Sequence, residues 1–161
     1  MQVSDNGVAF IKDNEQLRLF VYDDANDSPL GLMAKPLGHA TIGWGHSCSQ
    51  VERVLFVKGI TILKADELLV SDLKIVEKCL NSKVKVKLTQ NQYDALVDFV
   101  FNTGIGAFMA STLLKCLNEG NIKRAGNQML RWIFTTVNGK KVVSSSLMDR
   151  RERELKLYND R

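Results

Sequence analysis

Glu15 and Asp24 are separated by eight residues, and after sixteen more Thr41 opens the segment Thr-Ile-Gly-Trp-Gly-His. Two carboxyls in unequal surroundings can divide the work of breaking a glycosidic bond. One, desolvated, keeps a proton for the leaving oxygen; the other, wet and ionised, handles a water or an oxocarbenium centre. Glu15 falls where a helix should run into the core, and Asp24 falls beside a solvated turn. Acidic residues near turns are common, so the spacing alone leaves a plain surface turn open as well.

The elements around these residues follow from periodicity. A helix is expected over 4–14, with Ser4 as N-cap and Val8, Phe10 and Ile11 on its inner face. Leu17, Leu19 and Val21 then alternate with Arg18, Phe20 and Tyr22, as in a strand. Asp-Asp-Ala-Asn-Asp-Ser-Pro-Leu-Gly is turn chemistry, in which Asp23 and Asp27 serve the backbone. A second strand around 40–45 closes a small antiparallel sheet.

After Gly59, Thr61 can cap a long helix whose Leu68, Leu69, Leu73 and Val76 recur at three-to-four spacing. Thr-Gln-Asn-Gln at 89–92 is a capping box that opens a helix with Leu96, Phe99 and Val100 inward. Further helices are expected at 111–119, at 122–133 and at 146–158. The fold class is therefore α+β and predominantly helical. A β-bearing lobe (roughly 14–60) stands beside a helical one (1–13 and 80–161), joined by the helix 61–80. A cleft between such lobes is a usual place for a ligand.

With 161 residues, 45% hydrophobic and 25% charged, the chain has the composition of one ordinary globular domain. Cys48, Cys79 and Cys116 lack metal-like spacing and read as free thiols of a reducing compartment, with one disulfide as the alternative. The first residues lack the pattern of a signal peptide, and no apolar run is long enough to span a membrane. The net charge of +4 is uneven: ten Lys/Arg against four Asp/Glu lie between Lys123 and Arg161. Such a basic quarter suits a polyanion (nucleic acid, anionic membrane or wall polymer), or it is simply a solvated helix surface.

The segment from Ser4 to Ala25, followed by Thr-Ile-Gly-Trp-Gly-His, resembles the N-terminal signature of the phage-type lysozymes, glycoside hydrolase family 24. Lys58–Leu73 resembles the start of that family's long helix, and Leu88–Asn121 its central block with Phe-Asn-x-Gly and Ser-Thr-Leu-Leu. Leu147–Tyr158 resembles its Arg-Arg-x-x-Glu helix. The resemblance covers nearly the whole chain in order. It implies a lysozyme-like fold and a muramidase that cleaves the β-1,4 bond between N-acetylmuramic acid and N-acetylglucosamine.

Position by position, the resemblance makes Glu15 the general acid and pairs Asp24 with Thr41 to hold the attacking water. That arrangement gives inversion and needs carboxyls roughly 6.5–9.5 Å apart. It places Phe101, Asn102 and Ser111 along the saccharide groove, although Phe101 is equally a core residue and Ser111 a helix cap. Tyr22 and Trp44 border the sugar site or pack in the sheet, and His46 is read as a structural hydrogen-bonder. Arg150 or Arg151 pairs with Glu15, or forms a surface ion pair with Glu154 by spacing.

The resemblance implies no cofactor or metal. It implies bacterial peptidoglycan as partner, neither nucleic acid nor membrane insertion, a monomer, and a cytoplasmic wait for a holin-type pore protein. A lytic transglycosylase, which needs only the acid, and a groove-bearing binding domain without turnover are the alternatives. Two departures stand out: Gln16 replaces the usual Gly, and the Asp24–Thr41 segment is far longer than in compact members. That insert is read as a long hairpin tip, a groove wall or a docking surface.

Overall fold

The structure, a computed structural model, describes residues 1–137 and 139–160. The chain divides into two units, one of Lys12–Lys74 and one of Met1–Ile11 with Ile75–Arg161. Helix α1 (Asp5–Asn14) and the long helix α3 (Ile62–Lys83) each contribute to both.

The first unit is built on a four-stranded antiparallel sheet of β1 (Arg18–Asp23), β2 (Ser28–Pro29), β3 (Ala40–Gly43) and β4 (His46–Ser47), in the order β2-β1-β3-β4. Gly43 (φ 66°) and Gly45 (φ 87°) turn β3 into β4 through a left-handed backbone that Cβ-bearing residues resist. A Cβ on Gly43 would also lie 3.3 Å from Ala65 of α3. Ile42 on β3 and Ala65, Leu69 and Leu73 on α3 are buried, each large side chain contributing about 1.5–3 kcal/mol. Thr61 caps α3 through the Lys64 amide, as expected.

Residues 25–40, the insert read as a long hairpin tip, a groove wall or a docking surface, are held to the sheet and to a neighbouring helix. Ser28–Pro29 adds an edge strand to β1, and the rest is tied down at several points. The buried Asp23 carboxylate accepts the backbone N–H groups of Ala25, Leu37 and Gly38. Those bonds, Leu37's foremost, hold its pKa below the ordinary carboxyl value. A short helix that periodicity missed, α2 (Gln50–Leu55), supplies the other anchors under a Ser49–Glu52 capping box. From it Arg53 donates to the carbonyls of Gly31 (2.6 Å) and Ala34 (2.8 Å), and Gln50 to that of Leu32.

The second unit is mainly helical. Helix α4 (Gln90–Thr103) starts at the expected Thr89–Gln92 capping box, and every residue from Tyr93 to Val100 is buried. It packs against α8 (Ser145–Asn159), while α5 (Ile105–Met109), α6 (Thr112–Asn118) and α7 (Ile122–Met129) complete the unit.

The helix expected over 122–133 ends at Met129. A hairpin follows, with β5 (Phe134–Val137) paired to β6 (Lys140–Val143). Its signal is in the sequence: β-branched residues on both sides of Asn138-Gly139, with Gly139 at φ 73°. All three cysteines are free thiols. No helix among the described residues is long and apolar enough to cross a membrane.

Candidate active site

Glu15 follows the last residue of α1 and is half-buried, short of the core setting expected for it. Asp24 follows the last residue of β1, with its side chain 39% exposed. Between them, β1 and β3 shift register between Arg18–Gly43 and Tyr22–Thr41, a bulge of the kind that re-aims side chains beside a site.

Tyr22 lies opposite Thr41 in that pairing. Its hydroxyl titrates above the ordinary phenol value, through burial first and then the negative charges of Glu15, Asp24 and Asp27. Tyr22 thus stands within electrostatic reach of both carboxylates. Arg18 lies over its ring and pairs with Asp27, so the Asp27 carboxylate holds a guanidinium rather than the backbone of the turn.

Asp24 and Thr41 meet on one residue. The Asp24 N–H donates to the carbonyl of His39 (3.1 Å), and the Thr41 hydroxyl donates to the same oxygen (3.3 Å). In return the His39 N–H donates to Asp24 Oδ1 (2.6 Å), and His39 Nδ1 lies 3.3 Å from Oδ2. His39 was not among the residues singled out by type or spacing. A histidine two positions before the threonine carries no motif.

His46 has the structural place expected for it. Its ring nitrogens meet Asp72 of α3 (2.8 Å) and Glu52 of α2 (3.2 Å). The bond to Asp72, opposed by partial burial and assisted by Glu52, raises its basicity. The Trp44 indole N–H donates to Asp66 (2.7 Å), which also pairs with Lys12.

The family model for phage lysozyme matches residues 13–154. The chain belongs to the phage lysozyme family. An endolysin of Acyrthosiphon pisum secondary endosymbiont phage 1 is 37% identical over 158 residues, covering 98% of each chain. The solved muramidase domain of SpmX from Asticaccaulis excentricus superposes with a TM-score of 0.81 at 34% identity, covering 99% of each chain. A variant of P22 lysozyme gives 0.73 at 34% identity, again over 99% of each. The fold is therefore that of a lysozyme, and the enzyme is a glycoside hydrolase of the peptidoglycan-lytic endolysin type.

In the helical unit of this lysozyme, Asn102 is exposed near the end of α4, and the Arg151 guanidinium donates to its Oδ1 (2.6 Å). That bond occupies the amide oxygen of Asn102. Arg151 also stacks over Phe99, whose ring meets Trp132 edge-on. A cavity of about 370 Å³ opens beside Asn102, lined by Thr103, Arg131, Trp132, Phe134 and Lys141. Phe101 is half-buried, and Ser111 caps α6 by accepting the Leu114 N–H.

The surface pair with Glu154 suggested by spacing is corrected by burial. Arg151 and Glu154 do pair (2.9 Å), but both are fully buried. Arg150 holds Asp98 through two bonds, Nε to Oδ2 (3.1 Å) and an NH₂ group to Oδ1 (2.7 Å). No set of His, Cys, Asp and Glu among the described residues is arranged to hold a metal.

Proposed function

We propose that the enzyme hydrolyses the β-1,4 bond between N-acetylmuramic acid and N-acetylglucosamine with inversion at the anomeric carbon. Glu15 protonates the leaving glycosidic oxygen as the C1–O bond breaks. Asp24 accepts a proton from the water that attacks C1 from the opposite face. Thr41 orients that water. With its only proton donated to the His39 carbonyl, its oxygen is left to accept from the water. Phe101, Asn102, Ser111 and Tyr22 contact the saccharide, while His46, Arg150 and Arg151 support the framework. The whole chain acts as one lysozyme-like domain, a monomer that a holin-type pore releases to the wall.

The observation that supports this reading is the shared His39 carbonyl, which accepts both the Asp24 backbone N–H and the Thr41 hydroxyl. A lytic transglycosylase would have no use for a built water site. The test is clearing of purified peptidoglycan by wild type and Glu15→Gln, with mass analysis of the products. Wild type should clear, the variant should lose at least about 100-fold in rate, and products should carry reducing ends. Anhydro ends, lighter by one water, would indicate the transglycosylase. Wild type clearing no faster than the variant would leave a binding domain.

A further inference from the structure

We propose that the base of the inserted segment, Gly38–His39, is a positioning device for Asp24, and that the His39 imidazole fixes which carboxylate oxygen meets the attacking water. The inference rests on Asp24 holding that water.

The backbone around Asp24 is shaped to its carboxylate. A Cβ placed on Gly38 would lie 2.1 Å from Asp24 Oδ1 and 2.9 Å from the Ala25 Cβ. Only a glycine lets the chain pass that close. The next residue gives its N–H to the same Oδ1, so that oxygen is enclosed on one side and hydrogen-bonded on another. Oδ2 is left as the working oxygen, with His39 Nδ1 3.3 Å from it. Through its backbone His39 holds Asp24 and Thr41 together; through its ring it sets the plane of the Asp24 carboxylate.

The insert is anchored so that this base does not drift. The neighbouring Asp23 carboxylate takes the N–H groups of Leu37 and Gly38, the two residues just before His39. Arg53 holds the carbonyls of Gly31 and Ala34 further along. The extra length between Asp24 and Thr41 thus ends in a cradle for a reacting group. The imidazole itself is 77% exposed, so it is not a packing residue. An exposed pair of this kind adds little to stability. Its value lies in orientation, where a small misplacement of a catalytic group is costly in rate.

The experiment compares full-length wild type, His39→Ala, His39→Asn and Glu15→Gln in initial rates of peptidoglycan hydrolysis across substrate concentration, with Tm measured for each. Both substitutions at 39 keep the backbone N–H and carbonyl, and Asn restores an N–H donor close to the Nδ1 position. His39→Ala should lose about tenfold in kcat, with KM within about twofold and Tm unchanged, and His39→Asn should recover most of the loss. Wild-type kcat in His39→Ala, or equal loss in the Ala and Asn variants, would overturn the positioning role while leaving the hydrolase reading intact. Wild type no faster than Glu15→Gln would overturn the hydrolase reading, and this inference with it.

Discussion

Four carboxylates in this chain do four different things, and their neighbours decide which. Asp23 is a backbone clamp, Asp24 the proposed base, Asp98 the partner of a buried guanidinium, and Glu154 a buried acid. Burial first, and then the hydrogen bond and charge of Asp98, raise the Glu154 carboxyl well above its ordinary value, against the pull of Arg151 and Arg150. Burial thus favours the protonated form of Glu154. Its contribution to stability is complete below the ordinary carboxyl range and is lost as pH rises through the raised folded value. Glu154→Gln, nearly isosteric with the protonated acid that burial favours, should cost less in chemical unfolding than loss of the Asp98 charge. Asp98→Asn strips Arg150 of its two-bond charged partner and should cost about 3–5 kcal/mol in chemical unfolding. Equal losses in the two variants would contradict this division.

At the scale of elements, most helix caps were legible in the sequence, while the Ser49–Glu52 box and the hairpin around Asn138-Gly139 went unread. Ser4, Thr61, the Thr89 box and Ser111 all begin the helices expected of them, because a cap is a local exchange of hydrogen bonds. Elements made by long-range contacts were not legible. The two-residue strand Ser28–Pro29 exists because Asp23 and Tyr22 lie across from it, and α2 is too short to show a period. Burial of Arg151 and Glu154 was misread because i,i+3 spacing says nothing about which helix covers them.

Strand β4 is held to α2 and α3 by one titrating side chain, His46. Its basicity is raised in the folded state, so its stabilisation is complete below the unfolded value of 6.5. It fades as pH rises through the raised folded value. His46→Gln should therefore lower stability most at pH 5–6 and progressively less at higher pH, as followed by thermal unfolding across that range. A gap from wild type that stays constant with pH would contradict the ion-pair origin.

For the whole molecule, the family was legible in the order of motifs rather than in composition. Acidity near a turn, a basic C-terminal quarter and free cysteines each fit many proteins. Tyr-x-Asp followed by Thr-Ile-Gly-Trp-Gly-His, and then Phe-Asn-x-Gly and Arg-Arg-x-x-Glu, fit one. The sequence did not reveal the purpose of the sixteen residues before Thr41, since their anchors, Asp23 and Arg53, become visible only when folded. The central claim is that Asp24 and Thr41 deliver water to the face opposite Glu15. It is tested most directly by proton NMR of the anomeric configuration of newly formed reducing ends, recorded before mutarotation. Inversion predicts that the α-anomer appears first; a β-anomer appearing first would contradict the account.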